Sequence, residues 1–403
     1  MGMALSPFDL NLRHLRALGV VIARGGMSAA ADTVGLSQPA LTQGLAKLES
    51  RLGVRLLMRQ PDGVRATEAG RILAERTDRA FVQLAEAARQ AGRSGFARPE
   101  QLVTATQLRA FLALADAGSF VAASRATGLS QPGLHASVRD LEQICAVPIV
   151  ERQGRGVVLT RAGRRLARGA RLARAELAAA LVEILPGGGG DANRISVGAM
   201  PLSRAVLLPA AVAGMVASEP GFQIDVVDGA WRELVDPLRD GVIDVMVGAL
   251  RDEPPPDLEQ RPLLHDRLMV VGRAGHPLAS DPAPGREALA AYPWVIGRPG
   301  SPLRLLWQAM FAGGPVPAAP VECGSVTAIR GILRQSDLLT LLSHDQVALE
   351  IEVGVLAPIG PPRPETVRTI GVTTRADWRP TPSQARFLSL LEQTAGTAFQ
   401  EIE

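Results

Sequence analysis

The stretch Gly-Leu-Ser-Gln-Pro stands at residues 35–39 and again at 128–132. The two copies are 93 residues apart, and that offset holds without a gap from Leu15 and Leu108 to Leu73 and Leu166. About two positions in five are identical over this span, so the front of the chain is an internal duplication of one small unit. A chain built this way has to fold as two copies of one motif followed by something different.

Each copy of the pentapeptide reads as the start of a helix. Gly35 closes the preceding turn, Ser37 is placed to cap the new helix, and Pro39 falls inside its first turn, where a missing N–H costs nothing. Apolar residues follow at Leu41, Leu45, Leu48 and Leu52, and in the second copy at Leu134, Val138, Leu141 and Cys145, one face of a helix in each case. An Ala-rich segment before each, residues 28–34 and 121–127, predicts a shorter helix ended by a glycine turn. Two such helices make a helix-turn-helix, whose second helix enters the major groove with its N-terminus toward the bases. The outer face carries Thr42, Gln43, Lys47 and Arg51 in the first copy, and His135, Ser137, Arg139 and Gln143 in the second. Beyond each helix, residues 59–65 and 152–159 predict a two-stranded wing turning at Asp62-Gly63 or Arg155-Gly156. An Arg near a wing tip reaches phosphate or minor groove.

Charge supports this division. Residues 1–186 hold 25 Lys and Arg against 15 Asp and Glu, whereas the remainder holds 18 against 25. A basic front and an acidic back point to a polyanion partner for the front alone. Lys47 is the only lysine. Cys145 and Cys323 are too few and too far apart for a disulfide framework, and they suit a reducing cytosol. No leader and no membrane-spanning apolar run is visible, so a cytoplasmic chain is expected.

The runs GSFVAASRATGLSQPGLHASVRDLE and ERQGRGVVLTRAG, and in the first copy GGMSAAADTVGLSQPALTQGLAKLESRLGVRLLMR, resemble the winged helix-turn-helix of LysR-type transcriptional regulators. The tandem copy departs from that family, whose members usually carry one such domain. The resemblance implies double-stranded DNA as a partner. It makes Ser37, Gln38, Pro39, Thr42, Gln43, Lys47 and Arg65 the candidate contacts in the first copy, with Ser130, Gln131, Pro132, His135, Arg139 and Arg155 in the second. Residues 164–185 carry a near-heptad apolar stripe, Leu166, Ala170, Ala173, Leu177, Leu181 and Ile184, which needs a partner. The resemblance implies the same helix of a second subunit, hence a homodimer or homotetramer; packing on its own winged domain is the alternative.

After a glycine-rich hinge at 186–191 the pattern changes to alternating strands and helices, which predicts a parallel α/β sheet. A helix is expected over 203–218, and a strand over 268–272. VGAMPLSRAVLLP, LRDGVIDVMVGAL and LMVVGRAGHPLA resemble the two-lobed effector-binding region of the same family, with weak likeness to regulators of sugar and aromatic-acid genes. The expected fold is therefore mixed: two all-α winged helix-turn-helix domains with linker helices, then a two-lobed, periplasmic-binding-protein-like α/β domain. The expected boundaries are 1–93, 99–186 and 191–403, with lobe I at 191–270 and 366–403 and lobe II at 271–365. The family's usual glycine is replaced at Ser336-Asp337, which leaves that turn open.

Ligands in such sheets bind beyond the carboxyl ends of the strands. That makes Leu202, Ser203, Trp231, Leu250, Arg251, Arg298 and Ser301 the candidate effector contacts. Ser203 and Ser301 are read as helix N-termini for an anion or carbonyl, the arginines as carboxylate partners, and Trp231 as a stacking surface for a sugar or ring. His265 and His276 have no second ligand at metal spacing, and no phosphate loop, nucleophile elbow or zinc-spaced cysteine pair is present, so no metal, cofactor or catalytic set is expected. The sequence thus predicts a ligand-responsive DNA-binding regulator that is not an enzyme. Two alternatives remain: only the second copy binds DNA and the first is an interaction module, or the chain is a small-molecule sensor whose repeats serve assembly.

Overall fold

The computed structural model describes residues 5–61, 63–92, 98–154, 156–185, 193–201, 203, 205–363 and 366–398. The first copy is α1 (Leu12–Arg24), α2 (Met27–Val34), α3 (Gln38–Leu52), β1 (Leu57–Gln60), β2 (Gly63–Ala66) and α4 (Glu68–Ala91). The second is α5 (Ala105–Ala117), α6 (Phe120–Thr127), α7 (Gln131–Cys145), β3 (Val150–Gln153), β4 (Gly156–Leu159) and α8 (Arg161–Ile184), with every boundary 93 residues after its counterpart.

Local chemistry explains the shared boundaries. Ser37 Oγ accepts from the Ala40 N–H and Ser130 Oγ from the Gly133 N–H, capping α3 and α7 as expected. Glu49 Oε1 accepts from the N–H groups of Leu56 and Leu57 at 2.7 and 3.0 Å; Glu142 Oε1 does the same for Ile149 at 2.9 Å. These carboxylates pin the chain between the recognition helix and the wing. Thr67 and Thr160 cap the long helices at Gly70 and Gly163, both at 3.0 Å. A Cβ on Gly70 would fall 2.1 Å from the Leu56 carbonyl oxygen, and one on Gly163 would fall 1.9 Å from that of Ile149. The glycine of each Thr-x-Ala-Gly run is therefore demanded by close backbone approach. The wings are antiparallel hairpins held to the body by Val64 N–H on Gly25 O and Val157 N–H on Gly118 O. Asp62 and Arg155 lie outside the described residues.

The apolar stripe of α8 is buried at Leu166, Ala170, Ala173, Leu177, Leu181 and Ile184, and α8 packs along α4 of the same chain. This corrects the expectation of a second subunit's helix as its partner. Arg76 on α4 reaches Glu176 at 2.7 Å and also Glu183, a Cβ on Gly169 would meet Gln83 O at 2.8 Å, and Arg165 bonds Gln90 O. As the number rises on α4 it falls on α8, so the helices run antiparallel.

The chain divides into two compact units, the first running to Arg194 with the short pieces Arg239–Val242 and Pro380–Ser383. The second unit holds β5 (Arg194–Ala199), α9 (Leu207–Ser218), β6 (Gln223–Asp228), α10 (Trp231–Arg239), β7 (Val245–Ala249) and the long β8 (Leu258–Arg273). Next come α11 (Arg286–Ala290), β9 (Val295–Ile296), α12 (Pro302–Met310), β10 (Val321–Glu322), α13 (Val326–Leu333) and β11 (Thr340–Ser343). It ends with α14 (Ala348–Glu352), β12 (Leu356–Pro358), β13 (Val367–Arg375) and α15 (Pro382–Ala398). The main sheet has the order β11-β8-β13-β7-β5-β6, with β12 also on β8. It is mixed rather than parallel as expected: β5 runs parallel to β7, while β13 is antiparallel to both β7 and β8.

Two lobes follow from separate clusters of buried residues. Ile195, Val197, Val245, Val247, Phe387 and Leu391 fill one, and Leu268, Val270, Trp294, Trp307 and Phe311 fill another. β8 serves both, because its first half pairs with β13 and its last residues with β11 and β12. The expected strand covers only the second part. The first part carries Pro262, which sits at a register shift opposite Gly371, the kind of irregularity that tolerates proline within a sheet. At the open turn, Arg273 Nε donates to Asp337 Oδ1 at 2.6 Å, so the aspartate that replaces glycine anchors that loop.

Candidate functional site

In the first winged copy Ser37, Gln38, Pro39, Gln43 and Lys47 are exposed on the outer side of α3, and Thr42 is half-buried. The Thr42 hydroxyl donates to the Gln38 carbonyl at 2.9 Å, and the Ser28 hydroxyl lies 3.0 Å from Gln38 Oε1. Arg65 is exposed on β2, opposite Met58 of β1, and Arg59 is exposed at the following position of β1. In the second copy Ser130, Gln131, Pro132, His135 and Arg139 are exposed on α7. His135 stacks on Phe120 with ring centroids 3.6 Å apart. Of the candidate contacts, Arg155 lies outside the described residues.

Equivalent positions of the two heads differ. Thr42, Gln43, Ala46 and Lys47 on α3 correspond to His135, Ala136, Arg139 and Asp140 on α7, and Arg65 on β2 corresponds to Val158 on β4. Sequence reasoning missed a second basic feature of the first head. The Arg13 guanidinium donates to Gly35 O at 2.8 Å, and His14 lies against Gly44 of α3. Burial, then the Lys47 and Arg13 charges, push the His14 pKa below its ordinary value. Asn11, a visible cap for a helix whose first turn holds Arg13 and His14, is the signal that could have found it.

In the α/β unit the candidate residues do not behave alike. Leu202 lies outside the described residues. Ser203 is not at a helix N-terminus: α9 starts at Leu207, and Ser203 is buried with its hydroxyl donating to Met200 O at 3.0 Å. Ser301 does cap α12, accepting from the Arg304 N–H at 3.3 Å. Trp231 opens α10, and the Arg251 guanidinium carbon sits 5.2 Å from its ring centroid, a cation–π contact. Burial lowers the Arg251 pKa, the nearby Arg232 charge lowers it further, and Asp252 opposes the change. Leu250 is half-buried beside Arg251, and its N–H donates to Thr369 O. Arg298 is exposed.

Sequence reasoning also missed Arg232, whose Nη2 would be 2.9 Å from a Cβ on Gly300 in the turn before Ser301. The side chain of α10 thus reaches the second lobe, and it brings Trp231, Arg232 and Arg251 to the same side as the Gly300-Ser301 turn. Gln346, which is buried, spans the lobes as well, donating to Pro201 O at 3.4 Å. Among the described residues, no group of three His, Cys, Asp or Glu is placed to hold a metal ion, and no helix is long and apolar enough to cross a membrane.

Two helix-turn-helix heads with exposed polar recognition helices, joined to a two-lobed α/β ligand-binding fold, define a ligand-responsive, DNA-binding transcription regulator. The model of the bacterial regulatory helix-turn-helix protein, lysR family, matches residues 12–71 and again 105–164, and that of the LysR substrate binding domain matches 188–396. The HTH-type transcriptional regulator GalR of Pseudomonas putida is 31% identical over 386 residues, covering 95% of this chain and 97% of its own. The regulator PcaQ of Agrobacterium fabrum is 27% identical, covering 74% of this chain and 97% of its own. Among solved structures, a full-length OxyR variant from Pseudomonas aeruginosa aligns with a TM-score of 0.58 at 22% identity, covering 72% of this chain and 93% of its own, a likeness of fold. The chain belongs to the LysR family of bacterial transcription regulators, and its tandem winged domains are both recognised as that family's DNA-binding module. Its relatives are regulators, not enzymes.

Proposed function

We propose that both winged copies contact double-stranded DNA and that the α/β unit senses a small organic acid. The observation that carries the first part is the preservation of both heads. Each recognition helix keeps its serine cap, its exposed Gln and Pro, and a basic residue on the outer face, Lys47 in α3 and Arg139 in α7. Ser37, Gln38, Pro39, Thr42, Gln43, Lys47 and Arg65 act in the first head, and Ser130, Gln131, Pro132, His135, Arg139 and Arg155 in the second. The arginines Arg59 and Arg152 on the first wing strands add phosphate contacts.

For the effector, Arg251 and Arg232 supply two guanidinium groups for a carboxylate, and Trp231 supplies a flat surface for an organic body. Leu250, Arg298 and Ser301 border the same region. We take lobe I as 191–270 and 366–403 and lobe II as 271–365, with ligand favouring one arrangement of the lobes over another; such differential affinity is what a switch requires. The chain acts in the cytoplasm as a homodimer or homotetramer and turns over none of its ligand.

The test is the affinity of the full chain for duplex DNA as salt is raised. The expected result is a steep fall, with the slope reduced by about one for each of Arg59→Ala, Arg65→Ala and Arg152→Ala. Salt-independent affinity contradicts DNA contact and favours repeats that serve assembly.

A further inference from the structure

The pair formed by α4 and α8 is nearly symmetric in backbone and opposite in chemistry. Arg76 is 1% exposed and is held by Glu176 at 2.7 Å and by Glu183, while Arg79 reaches Glu176 at 2.9 Å. By the repeat offset, the counterparts of Glu176 and Glu183 on α4 are Gln83 and Gln90, and the counterpart of Arg76 on α8 is Gly169. At that other end there is no room for a side chain, since a Cβ on Gly169 would fall 2.3 Å from the Ala87 methyl and 2.8 Å from Gln83 O. The basic partners therefore lie on one helix and the acidic partners on the other.

Like pairings lose this match. Two α4 helices packed the same way would bury Arg76 against Gln83 and Gln90. Two α8 helices would bury Glu176 and Glu183 against Gly169. A buried charge deprived of its partner is strongly unfavourable, so the charges select the unlike pair. The ends are crossed in the same sense: the short turn Pro7–Asp9 before the first copy packs on α5 and α8, with Asp9 taking Arg109, while Pro99–Gln101 before the second copy packs on α4.

We propose that Arg76 and Arg79, set against Glu176 and Glu183, make the two repeats of one chain each other's partner, so that a single chain presents two unlike reading heads and recognises a duplex site with two unlike halves in inverted orientation. This rests on the proposal that both heads contact DNA. Antiparallel linker helices relate the heads by an approximate two-fold axis, and two-fold-related heads read inverted half-sites. The halves differ because Thr42, Gln43, Ala46 and Lys47 face the DNA in one head where His135, Ala136, Arg139 and Asp140 do in the other.

The experiment is selection of binding sites from a random duplex pool by the full chain. Wild type is expected to enrich an inverted site with unlike halves. Grafting the second face onto the first head (Thr42→His, Gln43→Ala, Ala46→Arg, Lys47→Asp) is expected to make the halves alike. The reverse graft (His135→Thr, Ala136→Gln, Arg139→Ala, Asp140→Lys) is expected to give the opposite palindrome, and it serves if the first graft does not fold. A palindrome or a lone half-site enriched by wild type overturns the proposal with DNA binding intact. Mixing a Gln38→Ala/Thr42→Ala chain with a Gln131→Ala/His135→Ala chain supplies a second arm. Failure to restore wild-type affinity is expected, and restoration overturns pairing within the chain. No enriched sequence at all, with salt-independent affinity for the pool, rejects the DNA reading on which the proposal stands.

Discussion

The imidazole of His135 lies flat on the ring of Phe120, with centroids 3.6 Å apart and planes 18° from parallel. The corresponding residues of the first copy are Thr42 and Met27, and there the hydroxyl folds back onto its own helix. One head thus offers an aromatic edge fixed by stacking, the other a short side chain with neighbours free to reach past it. Ring pairs of this kind contribute about 1 kcal/mol. Phe120→Ala is expected to weaken binding by about fivefold at the half-site read by the second copy and to leave the first unchanged, measured on duplexes altered in one half at a time.

Arg76→Gln removes the guanidinium from between two carboxylates, and a broken buried pair costs about 3–5 kcal/mol. Arg79 is 34% exposed, so Arg79→Gln is expected to cost under about 1 kcal/mol. Urea unfolding of the first unit's transition in the full chain compares the two. Equal losses would mean that Arg76 does not hold the helix pair.

Ala146 takes a left-handed conformation, φ 52°, at the place where the first copy has Gly53 at φ 68°. A Cβ there costs about 1–2 kcal/mol, offset in part by the greater freedom glycine has when unfolded. Ala146→Gly is expected to stabilise by about 0.5–1 kcal/mol, and Gly53→Ala to destabilise by about 1 kcal/mol, both read from thermal unfolding.

Gly163→Ala forces a Cβ toward a carbonyl oxygen 1.9 Å away, and the Ile149–Gly163 approach has no flexible side chain to yield. Forced overpacking costs about 1–3 kcal/mol. The expected result is a lower melting temperature together with weaker DNA binding, because the same contact sets the wing.

Burial pushes the Cys145 thiol up to about 11. The unfolded thiol ionises near about 8.5. The folded state thus holds a proton that the unfolded state has lost between these values, and stability is full below the lower one and falls as pH rises toward the upper. Unfolding free energy is expected to decline from about pH 8.5 upward, and Cys145→Ala to flatten that decline.

The heads are legible in the sequence because their signals are local. Caps at Ser37 and Ser130, glycine turns, and apolar spacing each act within a few residues, and the repeat checks one copy against the other. The link between α4 and α8 is not legible, since a stripe such as Leu166 to Ile184 says that a partner exists without saying which; Arg76 and Glu176 stand 100 residues apart. The early part of β8 hides behind Pro262, which only the register shift opposite Gly371 accommodates. At the candidate ligand site, strand-end reasoning names Trp231, Arg251 and Ser301, and the fold places Arg251 against Trp231 and Ser301 as the cap of α12. The same reasoning misplaces Ser203 because the chain makes a turn before α9 begins, and it misses Arg232 because the partner turn at Gly300 belongs to the other lobe.

The most direct test of two reading heads is a footprint on DNA upstream of the protein's own gene, comparing wild type with Gln38→Ala/Thr42→Ala and with Gln131→Ala/His135→Ala. Loss of a different part of the protected region in each variant is the predicted result. Protection unchanged by the first pair and abolished by the second would contradict it, leaving the first copy as an interaction surface.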